Sequence, residues 1–192
     1  MNQDRIMKLL KRLLIGIACV GLLFVFVIGP YMRRQTKKHS PEKTATYTQN
    51  GIDLLVRYSS PAKKDRIIFG ELVPYDEIWR TGANEPTTFT TSTDILVANY
   101  PLAKGTYSLW TRPGRQSWSV IFNSHIPDWG VTVLSGGKKT TRIPKHDVLE
   151  VEIPTEETNL PIENLTIDFE RQNQLFLGIS WDRTKIKIPI SK

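Results

Sequence analysis

The chain has 192 residues, 40% of them hydrophobic and 23% charged, which suits one ordinary domain with an appendage and excludes both a disordered polymer and a multi-span membrane protein. Its net charge of +7 suggests a nucleic-acid partner until the charges are located. Residues 1–39 hold eight basic side chains and one acid, Asp4, while residues 40–192 carry eighteen charges of each sign. The basicity belongs to the appendage, so a phosphate-binding surface on the main domain loses its basis and no nucleic-acid partner is expected.

Residues 1–12 form a short basic tail with Arg5, Lys8, Lys11 and Arg12. From Leu13 to Met32 the sequence LLIGIACVGLLFVFVIGPYM contains no charge over 20 residues. At about 1.5 Å per residue, a helix of this length spans the roughly 30 Å of a bilayer's hydrocarbon. Pro30 predicts a helix end nearby, and Tyr31 suits the interface. The run is too long for a signal peptide's apolar core and ends without a small-residue cleavage site. A membrane anchor over 13–32 with the bilayer as partner is therefore expected, leaving a cleaved signal peptide or a lipoprotein cut before Cys19 as alternatives. Four basic residues stand on each side, so charge bias barely sets the orientation. A short tail before a single span ordinarily stays inside, which predicts an extracytoplasmic main domain. Cys19 is the only cysteine, so residues 40–192 form no disulfide and hold no thiol nucleophile or thiolate metal ligand.

Residues 33–44 are polar and basic and predict a linker. From residue 45 the pattern alternates with period two. Ile52, Leu54, Val56 and Tyr58 share one parity, as do Trp118, Val120 and Phe122, then Leu165, Ile167 and Phe169, then Leu175 to Trp181, then Ile186, Ile188 and Ile190. Each run has one core face and one wet face. Weaker strands are predicted at 45–49, 87–92, 94–98, 106–111, 129–134 and 147–153, with breaker clusters between. One helical turn is predicted around Pro74–Trp79, with Pro near the first helical position. No crossover helices exist to support a parallel sheet. The expected fold is all-β, an antiparallel jelly-roll-like β-sandwich over 45–192.

Chemistry concentrates in residues 66–85, RIIFGELVPYDEIWRTGANE, which does not alternate. Trp79, Arg80, Asn84 and Glu85 cluster around Gly82. An arginine beside a tryptophan can stack and still fork onto a carboxylate. These residues predict a ligand cradle, with Tyr75 and Trp79 as faces and Arg80, Asn84 and Glu85 as polar contacts for a sugar or a small acid. The competing reading is a structural plug in which Arg80 pairs with an acid such as Glu85 or Asp168 and Asn84 caps loop amides. Trp110 lies opposite in parity to Tyr107 and Leu109 and is expected at the surface as a further ligand contact. Trp118 and Trp181 fall on core parities. A hydrolase would need two carboxylates across a cleft, and Glu85 with Asp168 is the pair considered. The three histidines, His39, His125 and His146, show no metal-ligand spacing, so no metal or cofactor is expected.

Several of these stretches together resemble the bacterial domain-of-unknown-function 2911 family. The carriers are Tyr58 with Pro61, Arg66, Phe69-Gly70, LVPYDEIWRTGANE at 72–85, LAKGTYSLWTRPG at 102–114, WSVIFN at 118–123, Trp129-Gly130 and Trp181. The family usually carries glycine where this chain has Asp65. The resemblance implies a secreted or membrane-tethered β domain and no particular activity. Three functions remain in play: a binding module for a small molecule, carbohydrate or envelope component, a hydrolase of such substrates, and a purely structural domain.

Overall fold

A computed structural model describes residues 3–192 except 133, 134, 136 and 138. It divides into two units, residues 1–38 and 39–192. In the first, helix α1 (Gln3–Leu23) runs through a π-helical stretch (Phe24–Ile28) into α2 (Gly29–His39). This helix is long and apolar enough to cross a membrane, as an anchor or a signal sequence would be. It does not stop at Pro30. The π turn accommodates the proline, since Gly29 N–H reaches back to Phe24 O and one residue is absorbed in the wider turn. The expected linker is likewise helical as far as His39, and strand begins at Glu42.

Among the described residues the second unit is antiparallel β-sheet with nine strands: β1 (Glu42–Gln49), β2 (Ile52–Ser59), β3 (Thr87–Thr91), β4 (Ile95–Val97), β5 (Tyr100–Leu102), β6 (Gly105–Pro113), β7 (Ser117–Asn123), β8 (Asp147–Arg171) and β9 (Leu175–Ser191). Their order is β1-β2-β3-β6-β7-β8-β9-β4-β5. The sheet is open, with β1 and β5 as edges. Its pivot is β8, whose first part, Asp147–Pro154, pairs with β7 while Thr155–Arg171 pairs with β9. The register shifts between Glu157 and Ile162 and again before Thr166.

Opposite those bulges, Asp182 in β9 has φ 52°. The sequence shows the same event as a parity switch, from Leu177, Ile179 and Trp181 to Ile186, Ile188 and Ile190. A bulge inserts a residue and reverses which parity faces inward, so both runs are buried within one strand. The two parts of the sheet then share one apolar core. Leu165, Ile167, Leu177 and Trp181 belong to the same cluster as Leu54, Val56, Phe89, Leu109 and Phe122.

Three expectations are corrected. No helix forms at Pro74–Trp79, because Asp76 takes φ 63°, which a right-handed helix does not admit. The strand expected at 129–134 is reduced to a single bridge, Val131 to Thr140, with residues 133 and 134 outside the described set. Trp110 is not at the surface but fully buried. It does lie on the face opposite the main core, paired with Ile121. That face is not wet here. Trp110 Nε1 donates to Ser108 Oγ at 2.8 Å, and Ser108 Oγ donates to His125 O at 2.7 Å, in the loop after β7. Trp110→Ala is accordingly expected to cost about 3–5 kcal/mol, as for a core aromatic, in urea denaturation. A loss under about 1 kcal/mol would instead mark a surface residue.

Candidate functional site

Residues 60–86 connect β2 to β3 without entering the sheet as a strand. Their backbone is clipped to β6 and β8 instead. Trp79 N donates to Thr111 O at 2.7 Å, and Thr111 N returns to Trp79 O at 2.9 Å. On the other side Lys63 N donates to Glu163 O at 2.7 Å, Leu165 N to Pro61 O at 3.0 Å and Ser60 Oγ to Leu165 O at 2.7 Å. These bonds satisfy peptide groups that an irregular buried path would otherwise leave unpaired. The path is strained: Lys64, Asp65, Asp76, Thr81 and Asn84 all have positive φ. Asp65, at φ 58°, thus holds a conformation that glycine adopts freely.

The clipped segment lays Phe69 and Trp79 onto the core. Trp79 stacks on Trp181 with centroids 6.0 Å apart and meets Trp118 edge-on at 6.2 Å, while Phe69 tilts onto Trp118 at 4.9 Å. Trp79 Nε1 donates to Gly82 O at 3.0 Å, which closes the turn behind it. Gly82 is required there because a Cβ would stand 2.9 Å from Ser59 O. Thr87 Oγ1 donates to Thr81 O at 2.7 Å and finishes the turn.

Next to Trp79, Arg80 runs across Gly130. A side chain at 130 would overlap Arg80 Cδ. Burial lowers the Arg80 pKa from the usual arginine range, and no carboxylate counters that effect. An arginine nonetheless keeps its proton in a protein. Its Nε is buried without a hydrogen-bond partner among the described residues. Leaving such a group unsatisfied costs about 1–3 kcal/mol, more when charged.

Arg80 borders a groove of about 270 Å³ whose walls include Leu72, Trp79 and Trp181 and whose cations are Lys64, Arg66 and Arg80. No aspartate or glutamate lines it among the described residues. Arg66 is held in place by donating Nε to Lys63 O at 2.9 Å and Nη2 to Ala62 O. The chain enters the β unit here, since His39 and Ser40 also line the groove.

The structure splits the expected cradle. Trp79 and Arg80 stay together, but Trp79 is only 9% exposed and is stacked on Trp181. Asn84 is buried, with Nδ2 3.4 Å from both Ser40 O and Ser59 Oγ, and its backbone carbonyl accepts from Gly130 N at 3.0 Å. It braces the loops. Glu85 lines a different groove, with Arg57 and Asp128. Tyr75 lines a third, and its ring lies under the Arg115 guanidinium at 4.6 Å. Asp168 is exposed on β8 and lines neither Arg80's groove nor Glu85's. The rings of His125 and His146 stack at 5.8 Å, and no group of three or more potential metal ligands forms among the described residues.

Sequence reasoning missed Lys64 and Arg66 as groove cations and Gly130 as the bed of Arg80. The basic run Lys63-Lys64-Asp65-Arg66 ahead of the non-alternating stretch was the available signal for the first two. Gly130→Ala is expected to displace Arg80 and to cost about 1–3 kcal/mol, read by chemical denaturation. The nearby Asn84 carbonyl, 3.0 Å from the new methyl, limits relaxation.

No match was found among the curated proteins or among the solved structures. The family model described as "Protein of unknown function (DUF2911)" matches residues 40–190, nearly the whole β unit, from Ser40 to the end of β9. The chain belongs to the DUF2911 family.

Proposed function

We propose that this protein is a non-catalytic binding module, held at the membrane by its N-terminal helix with the β domain outside the cytoplasm, whose groove at Arg80 takes a small ligand bearing a carboxylate or phosphate. One observation carries the reading: a guanidinium beside apolar walls, its Nε buried and unpartnered, at a groove whose lining holds three cations and, among the described residues, no carboxylate, Glu77 lying in the adjoining groove. A structural arginine would be expected to face an acid. An acid/base hydrolase would be expected to place carboxylates in the same groove. Carbohydrate stacking is disfavoured, because Trp79, Trp110, Trp118 and Trp181 are all buried.

Arg80→Met separates binding from structure. Replacing a buried, unpaired charge by an apolar chain of similar length is expected to leave the ligand-free protein as stable or to stabilise it by about 1–3 kcal/mol. Loss of a structural ion pair would instead cost about 3–5 kcal/mol. In a thermal-shift panel of organic acids and phosphate esters, the wild-type full chain is expected to gain melting temperature with at least one anion and Arg80→Met with none. A sharply destabilised Arg80→Met, together with no responsive anion, would overturn the proposal.

A further inference from the structure

Arg80 borders a second groove as well as the one described above. At about 540 Å³, this groove adjoins the first and shares Leu72, Val73, Trp79 and Arg80 with it. Its size lies within the range of about 300–1,000 Å³ usual for small-molecule sites. Among the described residues its lining holds one acid, Glu77, and one cation, Arg80. Leu72, Pro74, Ile78 and Val131 supply apolar wall.

Opposite charges that line one groove would be expected to close on each other, and these do not. Among the described residues neither the Glu77 carboxylate nor the Arg80 guanidinium forms an ion pair or a hydrogen bond, with the other or with any third group. The backbone holds both in place. Asp76 N donates to Pro113 O at 2.8 Å and Trp79 N to Thr111 O at 2.7 Å, which pins the chain on either side of Glu77. Thr87 N donates to Arg80 O at 3.2 Å, and the Arg80 side chain lies against Gly130. Two opposite charges kept apart on a fixed frame match a ligand that carries both complementary charges at once. A simple anion would meet Arg80 but would also share the groove with a carboxylate of its own sign, which weakens binding.

We infer that the ligand of the Arg80 site is a zwitterion, an amino carboxylate with an apolar side chain. Its carboxylate sits at Arg80 on the side lined by Lys64 and Arg66, its ammonium at Glu77, and its side chain along Leu72 and Ile78. A free amino acid and a short peptide share this chemistry. The inference rests on the anion-binding reading above and adds the ligand's second charge and its class. The first groove gathers three cations and, among the described residues, no acid, which suits the carboxylate, while the second brings the acid that an ammonium needs. Leu72 lines both grooves and is 43% exposed, so a side chain laid on it removes apolar surface from water.

The test follows the melting of the full chain in detergent with leucine, with leucyl-leucine, and with two leucine analogues that each lack one charge: 4-methylpentanoate, without the ammonium, and 3-methylbutylamine, without the carboxylate. Leucine or leucyl-leucine is expected to reach half-effect at a concentration at least about tenfold below either analogue, a factor that one further charged hydrogen bond supplies. The more potent of the two identifies the source as amino acid or peptide. Glu77→Gln, at an exposed position, is expected to leave the ligand-free melt unchanged and to bring the amino carboxylate and 4-methylpentanoate to equal potency. Arg80→Met is expected to lose the response to leucine and leucyl-leucine alike. Equal potency of both amino carboxylates and 4-methylpentanoate in the wild type would overturn the zwitterion while leaving anion binding intact. An amino-carboxylate advantage that persists in Glu77→Gln would remove the ammonium from Glu77 and overturn the inference. No response to any of these probes, or to the organic acids and phosphate esters of the panel above, would overturn both readings.

Discussion

The stacked indoles of Trp79 and Trp181 govern much of what this domain is. Trp181 comes from β9 and Trp79 from a connection that enters the sheet only through isolated bridges, so their contact joins the backbone clips and Phe69 in tying residues 60–86 to the core. Once Trp79 is seated, its neighbour has no freedom to leave. Arg80 must pass over Gly130 and bring its charge to the edge of an apolar cluster. The groove follows from that placement. Its polarity is not an added feature of the surface but a by-product of fixing one tryptophan.

The energetic logic runs against stability at this point. Aromatic packing contributes favourably, while the unpartnered guanidinium and a series of left-handed residues oppose it. Natural domains tolerate such a conflict where something outside the fold resolves it. Elsewhere in the domain the same features occur singly, as at Arg112 Nε and Trp118 Nε1, which are buried without a partner, and at Asn50, Ala98, Asn99 and Asp182, which are left-handed. Several charges elsewhere are paired in ordinary fashion, as in Arg112 with Glu150, Lys185 with Glu170 and Lys187 with Glu156.

Most strands were legible because burial on one face imposes alternation, and the runs at 52–58, 117–122 and 175–190 carry it plainly. The switch of parity after Trp181 reads in the sequence as a break between two strands, whereas one strand continues through it by way of a bulge. Trp110 shows the limit of the argument. Parity assigned the correct face, but whether a face is wet depends on a loop arriving from fifteen residues away, which no local pattern encodes. The same holds for the groove. The cluster of costly residues at 66–85 marked the right segment, and Trp79 with Arg80 emerged together. Glu85 and Tyr75 were assigned to the same site by proximity in sequence, whereas left-handed residues at Asp76 and Asn84 turn the backbone and send them to other grooves. Pro30 misled for a related reason, since a π turn relieves a constraint that a simple helix cannot.

One consequence of β8 reaches beyond the groove. A single 25-residue strand pairs with β7 at one end and β9 at the other, so neither part of the sheet owns a complete set of partners. The β unit has no seam along which half of it could melt while the rest persists. Disturbance at the tryptophan cluster and disturbance at the distant β4–β5 edge are therefore felt as loss of the same cooperative whole, and occupancy of one small groove would steady every strand at once.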